Sequence, residues 1–343
     1  MEQDLITVNS GKINGYLHHI DLRSYGKPKM LSAYIAEFDN DNILLDCGSS
    51  IDAKKLIAYI KKNEIPPSSF KYLITSHHHF DHAGGMYLVY NFLKKHNPEV
   101  KVLTNQKTMK LLNDYPHHLN RARRTYGDFV GKMEKIEESA FEIIKPSINF
   151  DNNTDKLEII DNFYVNGDKI KLGILKTSGH APDHQSAFFL KNNEIDFIFF
   201  GEAVGTIYHS SKLCTMPVSM PIYYNHREYM KTIENLKKLN PKRAGFGHFG
   251  IVNGQKNVQK ILLEHETFMN LFETKIREYY EQKDETRYIV NKIVPLFSSR
   301  TDLNLEKDSV FTGMALALVY GMMISLGYRP IPEEDFRFYK LYS

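Results

Sequence analysis

Residues 76–85 read SHHHFDHAGG and set His77, His79, Asp81 and His82 within six positions. The run before them, KYLIT at 71–75, is apolar and β-branched, so it predicts a buried strand that empties into this polar loop. After the glycines, Leu88, Val89, Phe92 and Leu93 recur at helical spacing, with Lys94 and Lys95 near the helix end and Asn97-Pro98 beyond it. Upstream, residues 43–45 form a short apolar strand running into Asp46-Cys47-Gly48. A helix should follow, capped by Ser50, carrying Ala53, Leu56, Ile57 and Ile60 on one face and stopped by Pro66-Pro67. Strand, loop and helix thus repeat twice, which argues for an α/β layered fold with its active loops at strand ends.

Working outward, residues 106–147 turn polar and helical around RARRTYGDFVGKMEKIEES and read as an inserted helical cap, with Arg121, Arg123 and Arg124 on a solvated face. Residues 163–177 read as two strands joined by a tight turn at Asn166-Gly167. Another strand at 196–200 stops at Gly201-Glu202, a helix carries Met230, Ile233, Leu236 and Leu239, and residues 244–247 deliver His248. Strand signals fade beyond Gly254, and the tail reads mostly as helices with a boundary near 255. The stretch 314–326 is apolar but is interrupted by Tyr320, Gly321 and Ser325 and falls short of the ~20 residues that span a bilayer, so it reads as a buried helix.

His77, His79 and His82 in HHHFDH, His180 in TSGHAPDH and His248 in GFGHFG each follow an apolar, strand-like run. Such runs can bring distant loops to one sheet edge, where a metal finds ligands from several directions. His77 and His79, two apart on extended backbone, face the same side, whereas His78 between them faces away. Imidazole with carboxylate suits Zn2+, Mn2+ or Fe2+, and the lack of clustered thiolates favours an open catalytic site over a closed structural one. Cys47 reads as a buried small residue, and His184 and Asp183 as residues that shape the His180 loop.

SHHHFDHAGG resembles the H-x-H-x-D-H motif of the metallo-β-lactamase superfamily, and the remaining family motifs follow in order over roughly residues 30–255. The surroundings of His248 are similar to a poorly characterised archaeal and bacterial hydrolase-like branch. The resemblance implies a four-layer αββα sandwich, of α/β (α+β) class, with a helical insertion and an α-helical C-terminal extension. It implies a catalytic unit over 1–255, inserted at about 105–150, and a helical extension over 256–343. By the same resemblance His77, His79 and His180 would hold a first metal, and Asp81, His82 and His248 a second. Asp46, with His184 near the His180 loop, would support those ligands from behind. The family's bridging carboxylate, usually an aspartate, falls on Glu202, whose extra methylene moves the carboxylate by about 1.5 Å. Glu202 then bridges both ions, serves one, or serves neither.

Two divalent ions, Zn2+ first with Mn2+ or Fe2+ as alternatives, would make a bound hydroxide the nucleophile, with Asp81 as the catalytic carboxylate that orients it and carries a proton. The expected reaction is hydrolysis of an ester, lactone or thioester. The alternatives are phosphodiester cleavage, a mononuclear iron persulfide dioxygenase, and a non-catalytic binding or regulatory protein of the same fold. Tyr208, His209, Tyr223 and Tyr224, within the segment 206–226, are candidate substrate contacts.

The chain has 343 residues with 44 basic and 41 acidic side chains, a net charge of +3 without like-charge blocks. That balance points to a small-molecule substrate and away from a nucleic-acid or membrane partner. Two cysteines exclude a disulfide-stapled secreted scaffold. The amino terminus, MEQDLITVNSGKINGYL, lacks the pattern of a signal peptide, so a cytoplasmic location is expected. The helical tail would either cover the metal site or form a homodimer interface.

Overall fold

Strands that are apolar on both faces must be covered on both faces. In the computed structural model, which describes residues 5–302 and 309–343, this is met by two seven-stranded sheets packed face to face with helices outside. Residues 1–4, the start of the segment read for a signal peptide, and 303–308 of the helical tail lie outside the described residues.

The first sheet contains β2 (Gly11–Lys12), β3 (Leu17–Asp21), β4 (Ser32–Glu37), β5 (Asn42–Leu45), β6 (Phe70–Ile74), β7 (Lys101–Asn105) and β8 (Phe141–Ile144), neighbours in that order. The second runs from β1 (Ile6–Thr7) through β14 (Gly250–Asn253), β13 (Arg243–Phe246), β12 (Glu194–Gly201), β11 (Gln185–Lys191) and β10 (Asp168–Lys176) to β9 (Asp161–Val165). Ile43, Leu45 and Ile74 of the first sheet meet Phe189, Phe197 and Phe199 of the second between the sheets. Leu44 and Leu73 point the other way, onto α1 (Ser50–Lys62) and α3 (Met86–Lys94). Phe188, Ile198 and Phe200 likewise turn outward onto α6 (His226–Leu236) and α7 (Gln255–Gln282). Each such fully buried side chain contributes roughly 1.5–3 kcal/mol, and the alternation fixes four layers, αββα.

The short α2 (Phe80–Ala83) follows β6, and α4 (Gln106–Asn113) and α5 (Tyr115–Tyr126) form the insertion. The insertion is helical only as far as residue 130. β8 then pairs parallel to β7, Val102 opposite Phe141, so the polar stretch ends as an edge strand whose exposed Ile143 and half-buried Glu142 disguised it. The helix after β5 is capped by Ser49, not Ser50: the Ser49 hydroxyl accepts the Asp52 N–H, and the Asp52 carboxylate returns to the Ser49 N–H. The turn at Asn166-Gly167 is as expected, with φ of 50° and 83°.

The tail continues as α7, α8 (Thr286–Ser298), α9 (Ser309–Ser325) and α10 (Glu333–Tyr342). No helix among the described residues is long and apolar enough to cross a membrane. Phe272, Phe297, Val319 and Met323 build a core of their own, which also takes in Met216, Val218 and Tyr224 of the loop after Glu202. This loop lies against α9 so closely that the Ser219 hydroxyl donates to the Leu318 carbonyl, and a Cβ on Gly321 would stand 1.9 Å from the Ser219 carbonyl oxygen. Gly321→Ala must therefore displace the loop. The expected cost is about 1–3 kcal/mol, read as a lower urea midpoint at an unchanged slope.

A buried network ties the same loop to α7. The Tyr229 hydroxyl accepts the Gly205 N–H and donates to His265 Nε2, while His265 Nδ1 donates to the Thr215 hydroxyl. Burial, aided by the Arg300 charge, pushes His265 down to about 3, against an ordinary ~6.5. The unfolded chain thus binds a proton between these values that the folded chain refuses. This contribution to stability is complete above pH ~6.5 and falls away by about 1.4 kcal/mol per pH unit on acidification toward 3. In denaturation series from pH 7 to 4, His265→Gln should show a shallower loss of stability than the native chain.

Candidate functional site

Strand ends bring the histidines together. β5 delivers Asp46, β6 delivers Ser76 and His77, α2 adds Asp81 and His82, the loop after β10 adds His180, β12 ends at Glu202, and the turn after β13 carries His248. Three overlapping or adjoining groups result: His77, His79, His180 and Glu202; beside it Asp81, His82 and His248; and, sharing His79, the outer group of His78, His79 and His118.

In the first cluster His180 Nε2 lies 3.1 Å from both His77 Nε2 and His79 Nδ1, and 2.8 Å from Glu202 Oε2. Glu202 Oε2 is also 3.3 Å from His77 Nε2 and 3.3 Å from His82 Nε2 in the second cluster. The other oxygen, Oε1, reaches His248 Nε2 at 3.6 Å, and Asp81 Oδ2 lies 3.5 Å from that nitrogen. One carboxylate therefore touches ring nitrogens of both clusters, despite the longer side chain.

The rear nitrogens of four rings are engaged. His180 Nδ1 donates to the Val218 carbonyl at 2.7 Å and His248 Nδ1 to the Met30 carbonyl at 2.7 Å. His82 Nδ1 donates to Asp46 Oδ2 at 2.7 Å. His77 Nδ1 meets the Ser76 hydroxyl at 3.0 Å, and that hydroxyl donates to Asp46 Oδ2. His77, His180 and His248 thus spend the one proton of a neutral ring at the back and turn a lone pair inward, and His82 does the same when a metal ion takes the place of its second proton. His82 Nε2 is buried with no hydrogen-bond partner. The inward lone pairs of His77 and His180, 3.1 Å apart, with His79 Nδ1 as close to His180, form a cation-binding cage, and rings oriented from behind are what metal-binding histidines require. The donor set fits divalent transition-metal ions.

Electrostatics agree. Burial raises the Glu202 carboxyl, but the His180, His77 and His82 rings hold it well below the usual carboxylate range. Asp81 is likewise held down against burial by His82 and His248. Burial, then the neighbouring rings, pushes His77 and His79 well below an ordinary imidazole. Burial also lowers His82, yet Asp81 and Asp46 outweigh it and draw positive charge to that ring.

His184 stands behind the cage. Its Nε2 accepts the Glu202 N–H at 3.1 Å, its ring lies 5.1 Å from His77, and burial pushes it down to about 3. Asp183 accepts from the His78 N–H and Nδ1, which turns His78 away from the cage. Cys47 is buried in the helix-facing core.

A cavity of about 270 Å3 opens above the cage, floored by His79, Asp81, Glu202 and His248. Tyr208 and Tyr223 line it; His209 and Tyr224 do not. His209 pairs with Asp302 at 3.1 Å, and Tyr224 is buried with its hydroxyl on His226. Periodicity in an irregular loop could not tell these four apart. The sequence reading missed Tyr25 and Tyr126, stacked at 5.7 Å on the wall, and His118, whose ring lies parallel to His79 at 5.3 Å and accepts the Phe80 N–H. No local signal separates His118 from its neighbour His117, which stacks on Phe338 instead. Arg121 also departs from expectation: it lines the cavity half-buried, the exposed Arg124 reaches the same cavity paired with Glu334, and only Arg123 lies wholly on the solvated face.

A sequence profile described as the metallo-beta-lactamase superfamily matches residues 26–248. The metallo-beta-lactamase fold-containing protein ST1585 of Sulfurisphaera tokodaii is 24% identical over 264 residues, spanning 73% of this chain and 82% of that protein. Its crystal structure, described as that of an archaeal metallo-beta-lactamase superfamily protein, matches with a TM-score of 0.58 at 20% identity, covering 90% of this chain and 98% of that one. The metallo-beta-lactamase family protein TTHA1429 from Thermus thermophilus matches with a TM-score of 0.56 at 15% identity, covering 91% of this chain and 92% of that one.

Asp46 is the hinge of the backing network, since it accepts from the Ser76 N–H, the Ser76 hydroxyl and His82. Asp46→Asn should weaken metal retention by about 10–100-fold in chelator competition while the far-ultraviolet spectrum stays native.

Proposed function

Because the chain belongs to the metallo-β-lactamase superfamily, we propose that it is a dinuclear metal hydrolase acting on the ester, lactone or thioester bond of a small cytoplasmic molecule. The observation that carries this reading is the position of Glu202 Oε2, within 3.3 Å of ring nitrogens in both clusters. His77, His79 and His180 would hold one ion, Asp81, His82 and His248 the other, with Glu202 between them and Zn2+ the favoured metal. A reading with a single iron leaves the second cluster without work.

The ions supply Lewis acidity, which makes water acidic near neutral pH and polarises a substrate carbonyl. The residues of the chain do the rest. Asp81, ionised and on the cavity floor, orients the attacking water through its carboxylate, takes its proton and returns it to the leaving oxygen or sulfur. Asp46 and the Val218 and Met30 carbonyls fix the rings, so little reorganisation is needed as charge develops. The walls of Tyr25, Tyr126 and Tyr208 exclude bulk water. A cavity of about 270 Å3 suits a small acyl group and not a polymer. In this reading the chain divides near residue 255, and the helices beyond it complete the cavity.

The test is metal content by mass spectrometry with acyl hydrolysis assayed alongside. About two zinc or manganese ions per chain are expected, with one lost in Glu202→Ala, and hydrolysis lowered at least about 100-fold in that variant. Glu202→Asp should keep both ions. One iron per chain, or a preference for phosphodiester over acyl substrates, would overturn the proposal.

A further inference from the structure

The cavity is apolar along most of its wall, to which α5 gives Tyr126 and α9 gives Met314 and Leu318. One stretch is charged: Arg121 and Arg124 of α5 and Glu334 and Asp335 of α10 line it, the Arg121 side chain only 20% exposed. Arg121 Nε lies 3.3 Å from Asp335 Oδ1, an oxygen that also lies 2.8 Å from His117 Nε2. Among the described residues neither terminal nitrogen of Arg121 has a hydrogen-bond acceptor. The acidic neighbours are already matched, since Glu334 pairs with Arg124 and Asp335 with Arg121 and His117. Asp335 thus backs the Nε edge of the guanidinium, and the terminal fork is left to the cavity.

A largely buried cation with idle donors is costly, and an acceptor that fills the fork recovers that cost. The acceptor whose geometry matches it is a carboxylate, held by two parallel N–H···O bonds. The spacing to the metal centre follows from one helix. His118 stacks on His79 at 5.3 Å, and Arg121 sits three residues further along, one step of about 5–6 Å on the same face. His79 at the cage and Arg121 line one and the same cavity. A short apolar spacer therefore joins the two polar ends.

We propose that Arg121 is the specificity-determining residue of this cavity, and that the substrate is a half-ester or half-thioester of a short aliphatic dicarboxylic acid whose free carboxylate sits on the Arg121 guanidinium. This rests on the hydrolase reading above. Water adds its oxygen to the acyl carbon, the C–O or C–S bond breaks, and a proton goes to the departing alcohol or thiol. The new carboxylic acid ionises, and no oxidant or reductant is needed.

The test uses the zinc-loaded full chain with adipyl and hexanoyl thioesters of one thiol, N-acetylcysteamine, and calorimetric binding of adipate and hexanoate. The native protein should favour adipyl by at least about tenfold in kcat/KM. Arg121→Met should bring that ratio toward one, chiefly through KM, and Arg121→Lys should restore part of it. A native ratio near one, or one unchanged in Arg121→Met, overturns the proposal and leaves acyl hydrolysis standing. If neither thioester is cleaved, the hydrolase reading fails and calorimetry decides on Arg121. Adipate bound at least about tenfold tighter than hexanoate, with the difference lost in Arg121→Met, supports the anchor; equal binding overturns it. If Arg121→Met does not fold, the adipate-to-hexanoate comparison on the native chain and Arg121→Lys decides the matter by the same criterion.

Discussion

Five imidazole rings face one another across a largely buried space, and their inward nitrogens carry lone pairs. His180 Nε2 lies 3.1 Å from two other ring nitrogens. Left alone, such an arrangement is repulsive and undersolvated. The surrounding structure is arranged to keep it. Asp46, Ser76 and the carbonyls of Val218 and Met30 take the outward protons of His82, His77, His180 and His248, so four of the five rings are held with the other nitrogen turned inward. Three carboxylates, Asp46, Asp81 and Glu202, bring negative charge to the same place. A positive ion is the one partner that satisfies lone pairs and carboxylates at once.

That constraint reaches into the fold. The backing group for His180 is the carbonyl of Val218, which belongs to a loop pressed on α9 at Gly321, while the Tyr229–His265–Thr215 chain ties the residues after Glu202 to α7. The tail helices therefore do more than cover the sandwich. They position His180 of one cluster and supply Phe311, Met314 and Leu318 to the cavity wall. Stability in the tail and geometry at the cage are coupled through these hydrogen bonds, to which Arg300 adds one on the Thr215 carbonyl and Ser325 one on the His226 N–H.

The layered fold and the cage were legible because their signals are local. His77, His79, Asp81 and His82 lie within one turn-length of sequence, and each remaining ligand follows an apolar run that ends on glycine or just before it. Strands buried on both faces advertise themselves as continuous apolar runs, as β6 and β12 do. Short strands and edges do not: β1 and β2 have two residues each, and β8 shows an exposed isoleucine. The cavity was least legible. Tyr208 and His209 are adjacent, yet one lines the wall and the other pairs with Asp302, far along the chain. His117 and His118 part in the same manner, one toward α10 and one toward His79. Which neighbour faces the site is decided by long-range packing that no periodicity encodes. Arg121 belongs to the same class, since its partner Asp335 lies on the last helix.

α10 is fastened differently from every other helix around the cavity. Asp335 is its one buried side chain, while Phe336 and Leu341 point outward. It is held by Arg121 and Arg124, by Tyr342 on Asp114 and by the stack of Phe338 on His117. Of these, the exposed pair of Arg124 with Glu334 is individually weak and screened by salt, whereas the buried Asp335 is screened much less. The wall it contributes is thus the part of the cavity that detaches at least cost, without exposing either sheet or the cage. Loosening α10 would uncover the cavity beside Pro332, Glu334 and Asp335, and raised salt, by weakening Arg124 with Glu334, would favour that change.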